Sequence, residues 1–184
     1  MDIIKTKRLI LRPLKLSDVE SFYNYAKKPN IGPKAGWQPH TSIEESLKIL
    51  QLMIKENEVW AITLKDCDQL IGTIGLHERN IHYALENKRE LGYVLDDTYW
   101  NQGLMTEAAQ GIIFYGFKTL KLDKIMCGHY IDNAQSKRVI EKLGFKYVFE
   151  GEHTNASKEK VKIKMYEITK DNYLKRSMKN DNIR

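Results

Sequence analysis

The sequence predicts a single mixed α/β domain, and three observations carry that prediction. The chain has 184 residues, inside the span of about 50–250 residues usual for one domain. Apolar residues make up 42% of it, enough to fill one core. Apolar patterns of period two and period 3.6 then alternate in the order β-α-α-β-β-β-α-β-α-β-β. No repeat or low-complexity linker interrupts that order.

The elements follow in turn. "RLILRPL" alternates around Leu9 and Leu11 and reads as a strand. "SDVESFYNYAKK" reads as a helix, with Ser17 and Glu20 at capping-box spacing. "KPNIGPKAGWQPHT" holds three of the four prolines and two glycines, which predicts a loop. Ser42 and Glu45 repeat the capping-box spacing, and Ile43, Leu47, Leu50 and Ile54 then share one helical face. "VWAITL" and "LIGTIGLHE" flank "KDCDQ" as a hairpin, and "RELGYVLD" is the next strand. A helix follows Gly103, with Ala109, Ile112, Ile113, Gly116, Phe117 and Leu120 on one side. "KIMCGHYI" is a strand, and "NAQSKRVIEKL" is a helix that Gly144 terminates. "KYVFEGEH" and "VKIKMYEI" close the domain as strands around a polar loop.

Several function classes lack support. No apolar run approaches the roughly 20 residues of a membrane span. The N-terminus "MDIIKTKRLILRP" has no small-residue cleavage site after an apolar core, so no signal peptide is expected. Cys67 and Cys127 make no disulfide framework, and a reducing, cytoplasmic location is the expectation. Cys127 and His129 stand two apart with no second pair, so no metal is expected. P-loop, dinucleotide and nucleophile-elbow motifs are all missing. Net charge is +6, and residues 158–184 hold nine Lys/Arg against four Asp/Glu. A solvated strand face and a frayed basic tail account for this. No helix-turn-helix or aromatic-interleaved pattern supports nucleic-acid binding.

The stretch "YWNQGLMTEAAQG" places Gly103 where a helix begins. A helix start leaves its first N–H groups unpaired and carries partial positive charge, so it suits an anion. "RELGYVLDDTYWNQGLMTEA" and then "DNAQSKRVIEKLGF", in that order, resemble the GNAT acetyltransferases and within them the RimJ/RimL branch. The likeness runs from "TKRLILRPL" to "YEI". It implies a mostly antiparallel central sheet, splayed at the cofactor strand and flanked by helices. Residues 1–58 then form the N-terminal strand and acceptor-side helices, 89–145 the acetyl-CoA core, and 170–184 the basic tail.

The resemblance implies acetyl-CoA as acetyl donor and no metal. Amides of Asn101, Gln102, Gly103, Leu104 and Met105, beside Thr106, would face its pyrophosphate. Gly103 there would admit a close phosphate, since a Cβ would intrude. Trp100 and Met105 depart from the family's usual glutamine or arginine and second small residue. Tyr93, Val94 and Leu95 would run beside the pantetheine arm, and Asn133 would bond it, with a plain N-cap as the alternative for Asn133. Glu90 matches the position of a carboxylate base. Ile140 stands where many relatives carry an acidic tyrosine, which leaves Ser136 to supply a proton or hydrogen bond to the departing thiolate. Trp37 and His40 would lie at the acceptor groove, His40 as a second base. The segment "ASKEKVKIK" is basic where that groove is expected, which disfavours a polycationic acceptor. The implied function is acetylation of a primary amine, foremost a ribosomal or other protein N-terminus. A small-molecule amine (polyamine or antibiotic) and a non-catalytic acyl-CoA-binding module are the alternatives, and a homodimer stays open.

Overall fold

In the computed structural model, residues 1–78 and 87–181 are described, with side chains to Arg176. Its strands form one sheet: β1 (Ile4–Lys5), β2 (Leu9–Pro13), β3 (Val59–Leu64), β4 (Cys67–His77), β5 (Lys88–Leu95), β6 (Lys124–Tyr130), β7 (Lys146–Thr154) and β8 (Lys160–Thr169). The spatial order is β1-β2-β3-β4-β5-β6-β8-β7. All neighbours are antiparallel except β5 and β6. The helices are α1 (Val19–Ala26), α2 (Gly32–Ala35), α3 (Ile43–Glu56), α4 (Leu104–Lys118), α5 (Ala134–Leu143) and α6 (Lys170–Asp181).

Both faces of the sheet are covered, which explains why β3 reads as a continuous apolar run rather than an alternation. Trp60 and Ile62 face one core, with Ile112, Ile113 and Phe117 of α4 and Ile140 of α5. Val59 and Ala61 face a second core, with Phe22 and Tyr25 of α1 and Leu50 of α3.

β5 sets the shape of the centre. Along β4 it pairs from Glu90 to Leu95, but along β6 only Lys88, Arg89 and Glu90 pair, with Lys124, Ile125 and Met126. From Leu91 onward β5 and β6 diverge, as the splayed sheet implied. At the other end of the core, Gly144 sits at φ 84° and ends α5 in the left-handed conformation.

Four expectations need correction. Ser17 lies within a one-turn 3-10 helix (Leu16–Asp18), and α1 begins only at Val19. Asp18 closes that 3-10 turn instead, accepting the Lys15 N–H at 2.8 Å while Arg12 draws its carboxylate inward, and α1 itself has no side-chain cap. On α3, Ser46 and Leu50 are buried, with Ile49, Met53 and Ile54 packed around them, while Ile43 and Leu47 are only half-buried. The His40–Ser46 hydrogen bond turns that helix away from its purely apolar face. The proline-rich loop contains α2. The basic tail is helical over its described part: the Tyr173 ring lies 5.2 Å from that of Phe117, and Arg176 Nη2 donates to the Lys142 carbonyl at 2.7 Å. Residues 182–184 of that tail lie outside the described residues.

Arg12 on β2 ties α1 to the sheet. Its guanidinium donates to both Asp18 carboxylate oxygens at 2.8 and 2.7 Å, to the Asp68 carbonyl at 2.8 Å, and to the Asp68 carboxylate. Arg12 and Asp18 side chains are each 6% exposed, whereas that of Asp68 is 65% exposed. Removing one partner of a buried pair leaves the other charge uncompensated, at about 3–5 kcal/mol, while an exposed pair is worth about 0–1 kcal/mol. Asp18→Ala is therefore expected to lower unfolding free energy by up to about 3–5 kcal/mol, with the remaining Asp68 carboxylate offsetting part of the loss, and Asp68→Ala by about 1 kcal/mol or less. Urea titration at unchanged m-value checks both, and equal losses would refute this division.

Candidate active site

The site begins at the carboxyl end of β5. Trp100 Nε1 donates to the Leu95 carbonyl at 2.8 Å, which folds the chain back over the strand end. Asp96 Oδ1 accepts the Thr98 N–H at 2.9 Å and starts the turn. Lys28 Nζ bridges Asp96 at 2.7 Å and Asp97 at 2.6 Å, and Asn30 Nδ2 donates to Asp97 at 2.8 Å. Those donors pull the Asp97 carboxyl down to about 2. The loop after α1 is thus pinned to the turn.

Asn101 (φ 61°) and Gly103 (φ 73°) then adopt left-handed conformations. Gly103 caps α4 without a side chain, and the first bond of the helix ladder runs from the Glu107 N–H to the Gly103 carbonyl at 3.1 Å. The amides of Leu104, Met105 and Thr106 consequently have no side-chain cap and lie at the positive end of a 15-residue helix. A Cβ on Gly103 would meet only Arg8 Nη2, at 3.7 Å. Within the protein, therefore, the positive φ requires glycine at this position; lack of room does not. Arg8 braces the loop from behind: Nη1 donates to the Gln102 carbonyl at 3.0 Å and Nε to Glu107 at 2.7 Å.

A cavity of ~340 Å³ opens in front of these amides. Tyr93, Val94, Leu95, Asn101, Gly103, Leu104, Met105, Thr106, Asn133 and Ser136 all line it. Gln102 does not; its side chain donates to the Thr98 carbonyl at 3.3 Å. Lys34, Arg138 and Lys142 add three cations to the wall. Uncapped amides, a helix start and cations together fit an anionic ligand such as a diphosphate. The edge of β5 that leaves β6 at Leu91 fits an extended amide-bearing chain. Asn133 is engaged at both ends: Oδ1 accepts the Ser136 N–H at 3.0 Å, and Nδ2 donates to the Lys34 carbonyl at 3.1 Å.

A second, larger groove of ~760 Å³ meets the first at Lys34, Tyr93, Val94, Asn133 and Ser136. Glu90, Trp37 and His40 line it. His40 is 6% exposed, its Nδ1 is 2.7 Å from Ser46 Oγ, and its ring lies 5.3 Å from that of Phe22 and 5.0 Å from that of Trp37. Burial lowers its pKa from the ordinary value, so the ring is neutral at physiological pH.

The expectation of a basic groove is overturned. Ile163 and Met165 of β8 line the groove, while Lys160, Lys162 and Lys164 do not. Side chains alternate along a strand, so the lysines occupy the opposite face. Glu152 and His153 of β7 join Glu90 in the wall, and Lys34 is its one Lys or Arg among the described residues. Sequence reasoning did not single out Glu152 and His153. No local signal marks them, because the β7–β8 pairing alone brings them to the groove.

Gly103→Val forces a β-branched residue into a left-handed conformation at the head of the cavity. Acetyl-CoA affinity, measured by titration calorimetry, is expected to fall at least about tenfold, or about 1.4 kcal/mol. A folded variant with unchanged affinity would remove the amide cradle from the site.

Comparison with known proteins identifies the family. The model of the acetyltransferase (GNAT) domain matches residues 8–146. The uncharacterized N-acetyltransferase YoaA of Bacillus subtilis is 31% identical over 149 residues, 78% of this chain and 82% of that protein. The ribosomal-protein-serine acetyltransferase of Escherichia coli is 31% identical over 78 residues, 42% of either chain. Among solved structures, a GNAT-family acetyltransferase from Bacillus anthracis superposes with a TM-score of 0.81 at 25% identity, covering 92% of this chain and 99% of that one. The chain belongs to the GNAT family of N-acetyltransferases.

Proposed function

We propose that this N-acetyltransferase transfers the acetyl group of acetyl-CoA to the α-amine of a peptide or protein N-terminus by direct attack on the thioester. The observation that carries the reading is the meeting of two cavities at Tyr93 and Ser136, with uncapped amides in one and Glu90 in the other. Acetyl-CoA supplies an activated acyl group. The amides of residues 104–106 hold its pyrophosphate, assisted by Lys34, Arg138 and Lys142. The unpaired edge of β5 at Tyr93, Val94 and Leu95 aligns the pantetheine arm.

The attacking amine must first lose a proton, because an ammonium has no lone pair. An α-amine has a pKa of about 7.7–8.0, against about 10.4 for lysine, so a single carboxylate suffices as helper. Glu90 takes that role where β5 leaves β6. Backbone N–H groups on the splayed edge stabilise negative charge developing on the carbonyl oxygen. Ser136 donates to the departing sulfur. Trp37 and His40 wall the acceptor side. The printed name of the Escherichia coli relative, a ribosomal-protein-serine acetyltransferase, supports a protein acceptor.

One observation favours a small-molecule amine as second reading. Glu90 and Glu152 face the groove against one lysine, which suits a cationic acceptor. Turnover of short peptides with small N-terminal residues, set against spermidine and kanamycin, separates the two, with free CoA release as the signal. Peptide acetylation is expected to be faster; saturable polyamine acetylation without peptide activity would reverse the order. Glu90→Gln is expected to lower kcat/KM by about 10²–10⁴-fold, most strongly at low pH, where free amine is scarce. An unchanged acid limb of the pH–rate profile would exclude Glu90 as base.

A further inference from the structure

Tyr93 and Ser136 form a hydroxyl pair at the junction of the two cavities. The Tyr93 Oη–Ser136 Oγ distance is 2.9 Å, and the phenol also lies 3.3 Å from the Ser136 carbonyl oxygen. The fold makes this contact possible. Tyr93 shares a strand face with Leu91 and Leu95, which belong to the core beneath α4 and α5. Beyond Glu90 no β6 pairing closes that side of β5, so the phenol reaches across to the first turn of α5. Asn133 fixes the other side of Ser136 by capping its amide.

We propose that Tyr93 is a positioning residue for the departure of the thiol: its O–H donates to Ser136 Oγ and leaves the serine proton free to point at the sulfur. The proposal rests on the reading above, in which a thioester is attacked beside Ser136. The direction of the bond follows from acidity, because a phenol (pKa about 10) is a far better donor than an aliphatic hydroxyl. Burial of Tyr93 raises its pKa well above the usual value, so it stays protonated at working pH. A serine oxygen that already accepts a hydrogen bond donates its own proton more strongly. Without the phenol, the serine hydroxyl is free to turn instead to a nearby backbone carbonyl.

The step balances. The C–N bond forms and the C–S bond breaks, and the electron pair of the latter leaves on sulfur. Ser136 holds that thiolate by a hydrogen bond until it takes up one proton. The ammonium loses two protons overall; one reaches sulfur through solvent and the other stays in solvent.

The test reads binding rather than turnover. Free CoA presents an alkyl thiol that lacks the flanking peptide groups of a cysteine and so ionises above the cysteine value of about 8.5; calorimetry at about pH 7 and about pH 10 therefore compares thiol with a largely ionised thiolate. Acetyl-CoA, whose sulfur cannot ionise, is the control at each pH. In the parent, CoA is expected to gain about tenfold over acetyl-CoA at the higher pH, the size of one hydrogen bond to a charge. Tyr93→Phe and Ser136→Ala should each lose that gain, and the double variant should lose no more than either. Each variant's gain is read against its own acetyl-CoA affinity at the same pH, and circular dichroism reports an intact fold. A full gain in Tyr93→Phe, or a further loss when it is added to Ser136→Ala, overturns the proposal. Should Tyr93→Phe fail to fold, a full gain in Ser136→Ala overturns it equally. A parent that does not bind acetyl-CoA removes the underlying reading and the proposal together. A parent that binds it, with the gain intact in Tyr93→Phe, removes the proposal alone.

Discussion

The divergence of β5 from β6 after Glu90 is the constraint on which the rest of the molecule depends. An unpaired buried amide or carbonyl costs about 1–3 kcal/mol, so a sheet does not open at its centre without compensation. Here β4 holds β5 from Glu90 to Leu95, through the whole stretch that leaves β6, and the two cores clamp it from both faces. The sheet is therefore rigid on one side of the split and open on the other. The opening yields the strand edge in the first cavity, the space that Tyr93 crosses, and the junction of the two cavities.

The anion-binding end depends on long-range braces as much as on its own turn. Gly103 and Asn101 supply the left-handed conformations. Arg8 and Thr6, from the start of the chain, hold the Glu107 carboxylate at 2.7 and 2.6 Å. Lys28 and Asn30 hold Asp97 from the other side. Such bonds fix the start of α4, whose first amides have no side-chain cap, which is the pre-organisation that anion binding at a helix start requires.

The larger groove is assembled from separate parts of the chain. Phe22 and Tyr25 come from α1, Trp37 and His40 from the loop before α3, Glu90 from β5, and Glu152 and His153 from β7. The hairpin beyond β7 is tied to the Trp37 loop, with the Ala156 N–H donating to the Gly36 carbonyl at 3.0 Å and Gln38 Nε2 to Ser157 Oγ at 3.2 Å. These ties bring the two sides of the groove together. Its charge follows from strand alternation, which turns the β8 lysines away and leaves Ile163 and Met165 inside.

The sequence by itself determined the order of the elements from β2 to β8 apart from α2, the helix stop at Gly144, the helix start at Gly103 and most of the run of residues around the first cavity. All of these are local: a strand or helix period, a turn residue or a cap is written within a few neighbours. Only the tertiary structure decided the phase of α3, the capping by Asp18, the helical state of the tail, the charge of the acceptor groove and the bond between Tyr93 and Ser136. Each depends on which distant residue arrives opposite. Arg12 redirects Asp18, His40 engages Ser46, the β7–β8 register turns the lysines outward, and a split in the sheet lets a phenol meet a serine 43 residues away.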